Sequence, residues 1–363
     1  MPKNHHTNIP SIDPPWLAPM AGYTDLPFRL LCRECGCTTA YTEMISAKGL
    51  VYENKSTRKY LNTCAHDSPL VVQLFGAEPH ILYTAVKMLD KQGFEYFDLN
   101  AGCSVKKVAK TGSGAGLLKH PQNLQECLQA MLDATGKKNV GVKIRSGWSV
   151  SKPNYTQIGQ KAEDVGAAWV TLHPRFATKG YAGSADWSHL EELVQHLNLP
   201  VIASGDLITA NKGLKCIQQT GVSNVMFARG ALKDPLIFRK FLLAGGYGGE
   251  SWTKEGVEAE VYTDKDFSQS GVDSSPDEAR IVQEKIYLIK RHIYLACKYE
   301  DEKRAFLKMR TLIPRYLNSF YRVGEIRHRV IQSSTWKEIL DIVDNLGKWI
   351  QKQEYELADG EHC

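Results

Sequence analysis

The sequence lacks the long apolar run of a membrane protein. No stretch approaches the about 18 consecutive apolar residues that a membrane-spanning helix needs. The first residues, Met1 to His6, contain no apolar segment of the kind found in signal peptides. Cysteine does not indicate a disulfide framework either, because the nine cysteines are odd in number and scattered along the chain. We therefore expect a cytoplasmic protein without a membrane partner.

A metal-ligand pattern is also missing. Cys32, Cys35 and Cys37 form one cluster, but no second pair of Cys or His with ligand spacing accompanies them. The pattern favours packing of the first helix over a metal centre, and we expect no metal.

Net charge is small, +5, but it is unevenly distributed. Residues 250–278 hold nine acidic and two basic side chains, and their Gly and Ser content predicts a linker over 246–279. Residues 280–352 hold sixteen basic and eight acidic side chains in a helical pattern. That pattern predicts a basic helical domain over 280–363, which is either a solvated face or a surface for an anionic polymer. Its candidate phosphate contacts are Arg310, Arg315, Arg322, Arg327 and Arg329.

Eight short apolar runs end in polar or glycine-rich residues. They are 16–20, 39–44, 70–73, 96–100, 140–145, 169–173, 200–206 and 225–230. Segments with helical spacing, such as 81–91, 124–134 and 190–197, lie between most of them. Eight alternations of strand and helix predict an α/β protein with a (β/α)8 TIM barrel over 1–245, followed by the smaller all-helical domain. In such a barrel the residues that end the strands meet at one mouth.

The polar residues at the predicted strand ends suit a flavin mononucleotide (FMN) site. The turns Ser204-Gly205-Asp206 and Ala228-Arg229-Gly230 end the last two strands, where barrels commonly bind phosphate. Lys143 ends an otherwise apolar strand, so its ammonium would favour an anionic reduced flavin. The remaining candidates are Gln73 for the flavin ring, Asn100 for a bound base, and His173 with Arg175 for phosphate or substrate.

Cys103 lies just beyond Asn100 on the loop after the fourth strand. A buried thiol is most often a packing residue. The neighbouring Gly102 lets the backbone approach a ligand, and Lys106 and Lys107 follow, so the position favours a reactive thiol.

The motifs resemble the tRNA-dihydrouridine synthases of bacterial type. The resemblance runs in order from about Ala18 to Phe238. The segments that carry it are 18–25, 28–29, 42–44, 72–76, 98–103, 106–108, 142–148, 183–187 and 204–206. The basic helical region matches the position of that family's tRNA-binding domain.

The resemblance implies an FMN enzyme that reduces the C5=C6 bond of uridine in tRNA, with NADPH, or NADH, as reductant. It implies that FMN is held by Ala18, Pro19, Met20, Gln73, Lys143, His173, Ser204, Gly205, Asp206, Ala228 and Arg229. It implies that Cys103 protonates C5 and that Asn100, Arg145 and Arg175 face the uracil or its backbone. A stacked base cannot meet both a flavin and a thiol, so the uridine would have to flip out.

Two other interpretations stay open. A flavin barrel that reduces a free pyrimidine or an enoyl compound would use the same thiol without needing the basic helices. A barrel that has lost its flavin and only binds RNA would have no need of Gln73, Cys103 or Lys143. We expect a monomer whose partners are tRNA and NADPH.

Overall fold

The chain forms a barrel unit and a helical unit. The computed structural model describes residues 9–10, 13–136, 139–247, 276–320 and 323–348. The barrel unit holds residues up to 231 and 236–247, and the helical unit holds 232–235 with the later residues. Most of the linker predicted over 246–279 lies outside the described residues. No helix in the described ranges combines the length and apolarity required to span a membrane.

Eight parallel strands close into a barrel, which confirms the fold prediction. The strands of the described residues are β1 Trp16–Leu17, β2 Thr39–Tyr41, β3 Ile45–Ser46, β4 Leu70–Phe75, β5 Tyr96–Ala101, β6 Val140–Arg145, β7 Gly147–Ser149, β8 Lys152–Pro153, β9 Val170–His173, β10 Val201–Ser204 and β11 Asn224–Phe227. The barrel order is β2-β1-β11-β10-β9-β6-β5-β4, and pairing of β2 with β4 closes it.

Helices follow the barrel strands. Those of the barrel unit are α1 Leu26–Glu34, α2 Ala47–Val51, α3 Lys55–Arg58, α4 Pro79–Asp90, α5 Lys106–Ala109, α6 Pro121–Thr135, α7 Tyr155–Asp164, α8 Ser188–His196, α9 Ala210–Thr220, α10 Arg229–Lys233 and α11 Ile237–Gly245, of which α10 ends in the helical unit. The long ones begin close to the predicted starts because an amphipathic stripe faces the sheet. Cys32 and Cys37 are buried at α1 and just after it, where burial raises the pKa of both thiols.

One predicted strand is divided in the structure. The sequence predicts a single strand over 39–44, whereas β2 ends at Tyr41 and β3 begins at Ile45. The Thr42 hydroxyl accepts a hydrogen bond from the Gln73 backbone amide at 3.1 Å. A side chain thus takes the place of a backbone acceptor, and the ladder is interrupted between the two strands.

The barrel interior contains an aromatic cluster. The ring of Trp16 lies 6.0 Å from that of Tyr41 and 5.9 Å from that of Trp169, centroid to centroid. The Trp169 indole donates to the Tyr41 hydroxyl at 2.9 Å. All three side chains are buried, so the cluster fills the barrel interior with packed side chains.

Gly141 on β6 leaves room for the indole of Trp169. A methyl group at this position would lie 2.0 Å from one ring atom, and the ring is held by its partners. We expect Gly141→Ala to lower the free energy of unfolding by about 1–3 kcal/mol or more, the usual cost of overpacking. Chemical denaturation measures this value. The control is Gly324→Ala, because a methyl group there meets no atom of the described residues within 4 Å. Equal effects of the two variants would contradict the role of Gly141.

The helical unit contains α12 Pro276–Tyr299, α13 Glu302–Tyr316, α14 Gly324–Gln332 and α15 Trp336–Asp344. The helical pattern of the sequence covers 281–299, 303–321 and 336–350. The second of these segments ends earlier as a helix, at Tyr316, and α14 lies outside all three. This helix buries little apolar surface, chiefly Ile326 and Val330, so its periodicity is weak. Inside the unit, His292 and the Tyr316 hydroxyl are hydrogen-bonded at 2.8 Å.

Candidate active site

The register of four neighbouring strands brings the predicted site residues together. Asn100 on β5 is paired with Lys143 on β6, and Arg145 is paired with His173 on β9. Gln73 on β4 is paired with Asp98. Because parallel strands end at one mouth, these side chains share the carboxyl-terminal end of the barrel. The other predicted residues lie beside the ends of β1, β10 and β11: Ala18, Pro19, Met20, Ser204, Gly205, Asp206, Ala228 and Arg229.

A series of side-chain amides leads to the Cys103 loop. Gln73 Nε2 donates to Asp98 Oδ2 at 2.8 Å, and Asn100 Nδ2 donates to Gln73 Oε1 at 2.8 Å. Asn100 Oδ1 accepts from the backbone amides of Gly102 at 3.2 Å and Cys103 at 2.9 Å. Asn100, predicted to face a base, therefore also holds the loop that carries the thiol.

Arg145 holds the same loop from the other side. Its Nε donates to the Gly102 carbonyl at 2.8 Å, and its Nη1 donates to the Gly180 carbonyl at 2.7 Å. The side chain is buried, so these bonds are shielded from water. Arg145 thus joins the Cys103 loop to the loop after β9.

The Cys103 thiol is one of the partly exposed groups at this mouth. Its backbone carbonyl accepts from Ala115 at 2.9 Å, so the loop is held on both sides of the thiol. A thiol on a restrained loop at the open end of a barrel can reach a bound molecule, whereas the buried Cys127 and Cys216 cannot.

Lys143 and Asp98 are a pair of opposite charges inside the mouth. Burial lowers the pKa of Lys143 to about 8, although the Asp98 carboxylate opposes the shift. Burial raises the pKa of Asp98 to about 7, although Gln73 and Lys143 oppose that shift. Among the described residues, none accepts a hydrogen bond from the Lys143 ammonium, so this cation is available to a ligand.

The Asp98 carboxyl gives a stability prediction. Its pKa of about 7 exceeds the ordinary 3.8, so the folded state binds more protons than the unfolded chain between these values. The contribution of Asp98 to stability therefore falls as the pH rises from about 4 to about 7. We expect Asp98→Asn to remove this decline, as measured by urea denaturation across that range. If the free energy of unfolding changes with pH in the same way in the variant and in the unaltered protein, Asp98 is not the group responsible.

A second cluster lies where β9, β10 and β11 end. The Asp206 carboxylate accepts from Arg175 at 2.7 Å, from Arg229 at 2.9 Å and from the Ala185 amide at 2.8 Å. Partial burial raises the pKa of Asp206, but the Ala185 amide and Arg175 outweigh it and leave the pKa below its ordinary value. The carboxylate of Asp206 therefore orients two arginines, and only its backbone is suited to an anion.

His173 is neutral in this cluster. Its pKa is lowered well below 6.5 by burial and by the positive charges of Lys143, Arg145, Arg175 and Arg229. Arg175 Nη1 lies 3.3 Å from His173 Nε2. Because a guanidinium can only donate, Nε2 is the acceptor and Nδ1 carries the proton. His173 thus offers a neutral N–H to a ligand.

Two contributors were not predicted from the sequence. Tyr181 is 65% exposed, and the guanidinium carbons of Arg229 and Arg145 lie 5.1 and 5.6 Å from its ring centroid. The sequence feature that could have indicated this position is the aromatic residue of Gly180-Tyr181, in the segment between strand ends that carry cationic residues. Glu43 is buried and accepts a hydrogen bond from the Gly22 amide, which holds the loop after β1. No local pattern pointed to that contact.

The residues present fit a phosphate-bearing cofactor with an electron-rich edge. Gly205 and Asp206 have positive φ values of 116° and 55°, the kind of turn that presents backbone amides to an anion. A Cβ at Gly205 would lie 2.7 Å from the His173 ring, so only glycine keeps this cradle open. The ammonium of Lys143 supplies the cation. In the described ranges, no group of three or more His, Cys, Asp or Glu side chains could hold a metal ion.

Comparison with known proteins gives consistent matches. The family model described as "Dihydrouridine synthase (Dus)" matches residues 16–351. A probable tRNA-dihydrouridine synthase of Treponema pallidum is 35% identical over 64% of this chain and 72% of its own length. tRNA-dihydrouridine synthase B of Shewanella oneidensis is 35% identical over 62% and 69%. A solved structure of morphinone reductase is 11% identical, covers 63% of this chain and 85% of that chain, and has a TM-score of 0.47.

Proposed function

Because the chain belongs to the dihydrouridine synthase family, we propose that it reduces the C5=C6 bond of a uridine in tRNA to give 5,6-dihydrouridine. The relatives named for this activity on tRNA support the substrate. The observation that carries the proposal is the restrained Cys103 loop at the same barrel mouth as the Lys143 ammonium, which donates to no other described residue.

We propose FMN as the cofactor and NADPH as the reductant. When bound, FMN would supply the two electrons and the hydrogen that C6 of the uracil receives. FMN would be held by Lys143, by the His173 N–H and by the backbone at Gly205 and Asp206. The loop at Ala18 to Met20 would lie beside these groups. The cation of Lys143 would stabilise negative charge on the reduced ring.

The protein's own residues would then act on the other side of the uracil. Cys103 would give its proton to C5, while Asn100 and Arg145 keep the loop in place. The uridine has to leave its stack to reach this mouth, because the thiol lies on a restrained loop. Tyr181, exposed between two arginines, is suited to stack on the extruded nucleotide.

The direct test is mass spectrometry of an unmodified tRNA transcript after incubation with the protein and NADPH. We expect a gain of two hydrogens at a uridine. Purified protein should be yellow with flavin absorbance. NADPH oxidation that proceeds equally with a free pyrimidine or an enoyl compound and without RNA would favour the small-molecule reductase. Colourless protein that binds tRNA without NADPH oxidation would favour a protein that only binds RNA.

A basic surface next to the mouth is suited to the RNA backbone. The chain has no Asp or Glu between Asp98 and Glu126, and Lys106, Lys107, Lys110 and Lys119 in this stretch are exposed. The Lys119 ammonium lies 3.5 Å from the Trp148 ring centroid, which connects the loops after β5 and β6. Positive charge without compensating acids favours phosphate contacts here.

We expect replacement of Lys106, Lys107 and Lys110 by glutamine to weaken tRNA binding. The slope of log K against log salt should become shallower by about one unit for each phosphate that the variant no longer neutralises. Fluorescence anisotropy across a salt series measures the slope. A matched replacement of three exposed lysines elsewhere on the barrel unit, Lys91, Lys212 and Lys215, should leave the slope unchanged. An unaltered slope in the first variant would place the RNA elsewhere.

The arginines first predicted to hold phosphate are partly engaged inside the helical unit. Arg310 donates to the Ile331 carbonyl, and Arg329 pairs with Glu325 at 3.3 Å. Arg322 lies outside the described residues. The tRNA-binding role of the unit stays a proposal, and Tyr294, flanked by Arg291 and Lys298, is a better position to test it.

We also propose a cytoplasmic location and a monomeric state. All cysteines of the described ranges are free thiols, which suits a reducing compartment. Light scattering of the purified protein tests the monomer.

A further inference from the structure

Asp98 is a buried acid that the proposed reaction does not use. It lies on β5, fully buried, two residues before Asn100. Its carboxylate accepts from Gln73 and is attracted to Lys143. It therefore stands at the start of the hydrogen-bond series that ends at the Cys103 amide.

We propose that Asp98 is a positioning residue that sets the orientation of the Gln73 and Asn100 amides and thereby holds the Cys103 loop. The inference deepens the proposed function, since the use of the thiol rests on that function. The hydrogen bonds themselves do not depend on it.

The side-chain amides of Gln73 and Asn100 are asymmetric. Each has one accepting and one donating end, so a series of amides can run in either direction. A carboxylate accepts at both oxygens, so Asp98 makes Gln73 present its NH2 group. Gln73 Oε1 then faces Asn100 Nδ2, and Asn100 Oδ1 is left for the amides of Gly102 and Cys103.

Lys143 makes the carboxylate necessary. Asp98 presents an acceptor to Gln73 and negative charge to Lys143 at the same time. An asparagine at this position has a single oxygen. The Lys143 charge would draw that oxygen and turn the NH2 group toward Gln73. The series would then reverse and direct Asn100 Nδ2 at the two loop amides, donor against donor.

The test measures the Cys103 thiol without relying on turnover. The purified holoprotein is alkylated with iodoacetamide, and modification of each cysteine is followed by peptide mass spectrometry. We expect Asp98→Asn to speed alkylation of Cys103 by about five- to tenfold, the factor for one net hydrogen bond. The exposed Cys297 on α12 is the internal standard and should react at an unchanged rate.

A compensating variant tests the orientation itself. In Asp98→Asn/Gln73→Glu the carboxylate moves one position along the series. It accepts from the Nδ2 groups at both 98 and 100, so Asn100 Oδ1 again faces the loop. We expect Cys103 alkylation to return to the wild-type rate, while uridine reduction stays low because Gln73 belongs to the proposed cofactor site. The control is Thr39→Val, which alters a buried hydroxyl outside the series and should react like wild type.

Three results would overturn the proposal. The first is alkylation of Cys103 at the wild-type rate in Asp98→Asn. The second is failure of the double variant to restore the wild-type rate of alkylation. The third is that Thr39→Val speeds Cys103 alkylation as much as Asp98→Asn does. Should Asp98→Asn not fold, the double variant decides, because the proposal requires it to fold and to be alkylated at Cys103 at the wild-type rate. If the alkylation rates are as expected but the protein does not reduce uridine in tRNA, the proposed function is refuted and this inference stands.

Discussion

Replacement of Cys103 by alanine is expected to slow uridine reduction by about two to four orders of magnitude, the usual contribution of a positioned proton donor. Flavin content and flavin reduction by NADPH should stay at wild-type levels, because the thiol lies on the loop and not among the residues proposed to hold FMN. Single-turnover measurements separate the two half-reactions: flavin absorbance reports reduction by NADPH, and its reoxidation by tRNA reports the uridine step.

The matched control for this variant is Cys297→Ala. Cys297 is an exposed thiol on α12, and its loss should change neither half-reaction. Near-wild-type reoxidation of the flavin by tRNA in Cys103→Ala would refute the assignment of this thiol as the acid. A parallel loss of flavin would instead assign the loop to cofactor binding.

Replacement of Lys143 by methionine is expected to lower the rate of flavin reduction by about two to three orders of magnitude, the effect of removing one preorganised electrostatic contact. Methionine retains the length and apolar stem of the side chain, so the effect isolates the charge. The purified variant should also lose part of its flavin and have a lower flavin reduction potential. Absorbance spectra and potentiometric titration measure both quantities.

Lys143→Arg is the matched variant because it keeps the positive charge. It should retain more flavin and a higher potential than the methionine variant, although the planar guanidinium does not reproduce the position of the ammonium. Full flavin content with a wild-type reduction rate in Lys143→Met would show that the ammonium has no role at the cofactor. A normal tRNA affinity in both variants is required for this interpretation.

Strand ends were predictable because a barrel strand is an apolar run that stops at a polar residue. Lys143 and Asn100 interrupt such runs, and the register places them side by side. The division at Thr42 was not predictable, since it depends on a hydroxyl that meets an amide 31 residues later in the chain. The contact of Glu43 was not predictable for the same reason, since its partner is the Gly22 amide on another loop.

Roles within the site depended even more on tertiary contacts. In the sequence Asp98 is one polar residue in a buried strand, and only the pairing of β4 with β5 shows that its carboxylate accepts a hydrogen bond from Gln73. Asp206 and Arg175 were assigned separately to cofactor and substrate, whereas the structure joins them at 2.7 Å. The charge of each is therefore largely taken up by the other before any ligand arrives.

The amino-acid sequence was enough to predict the barrel, most of its strand ends and the loop that carries Cys103, because apolar periodicity and glycine placement are local properties of the chain. Contacts between distant residues set which hydrogen-bond donors are already satisfied and which stay available. Lys143 is available because no acceptor comes within reach among the described residues, and Asn100 is engaged because the Cys103 loop folds back onto its oxygen. Hydrogen bonds are short-ranged and directional, so they depend on distances between residues far apart in the chain, which no local pattern contains.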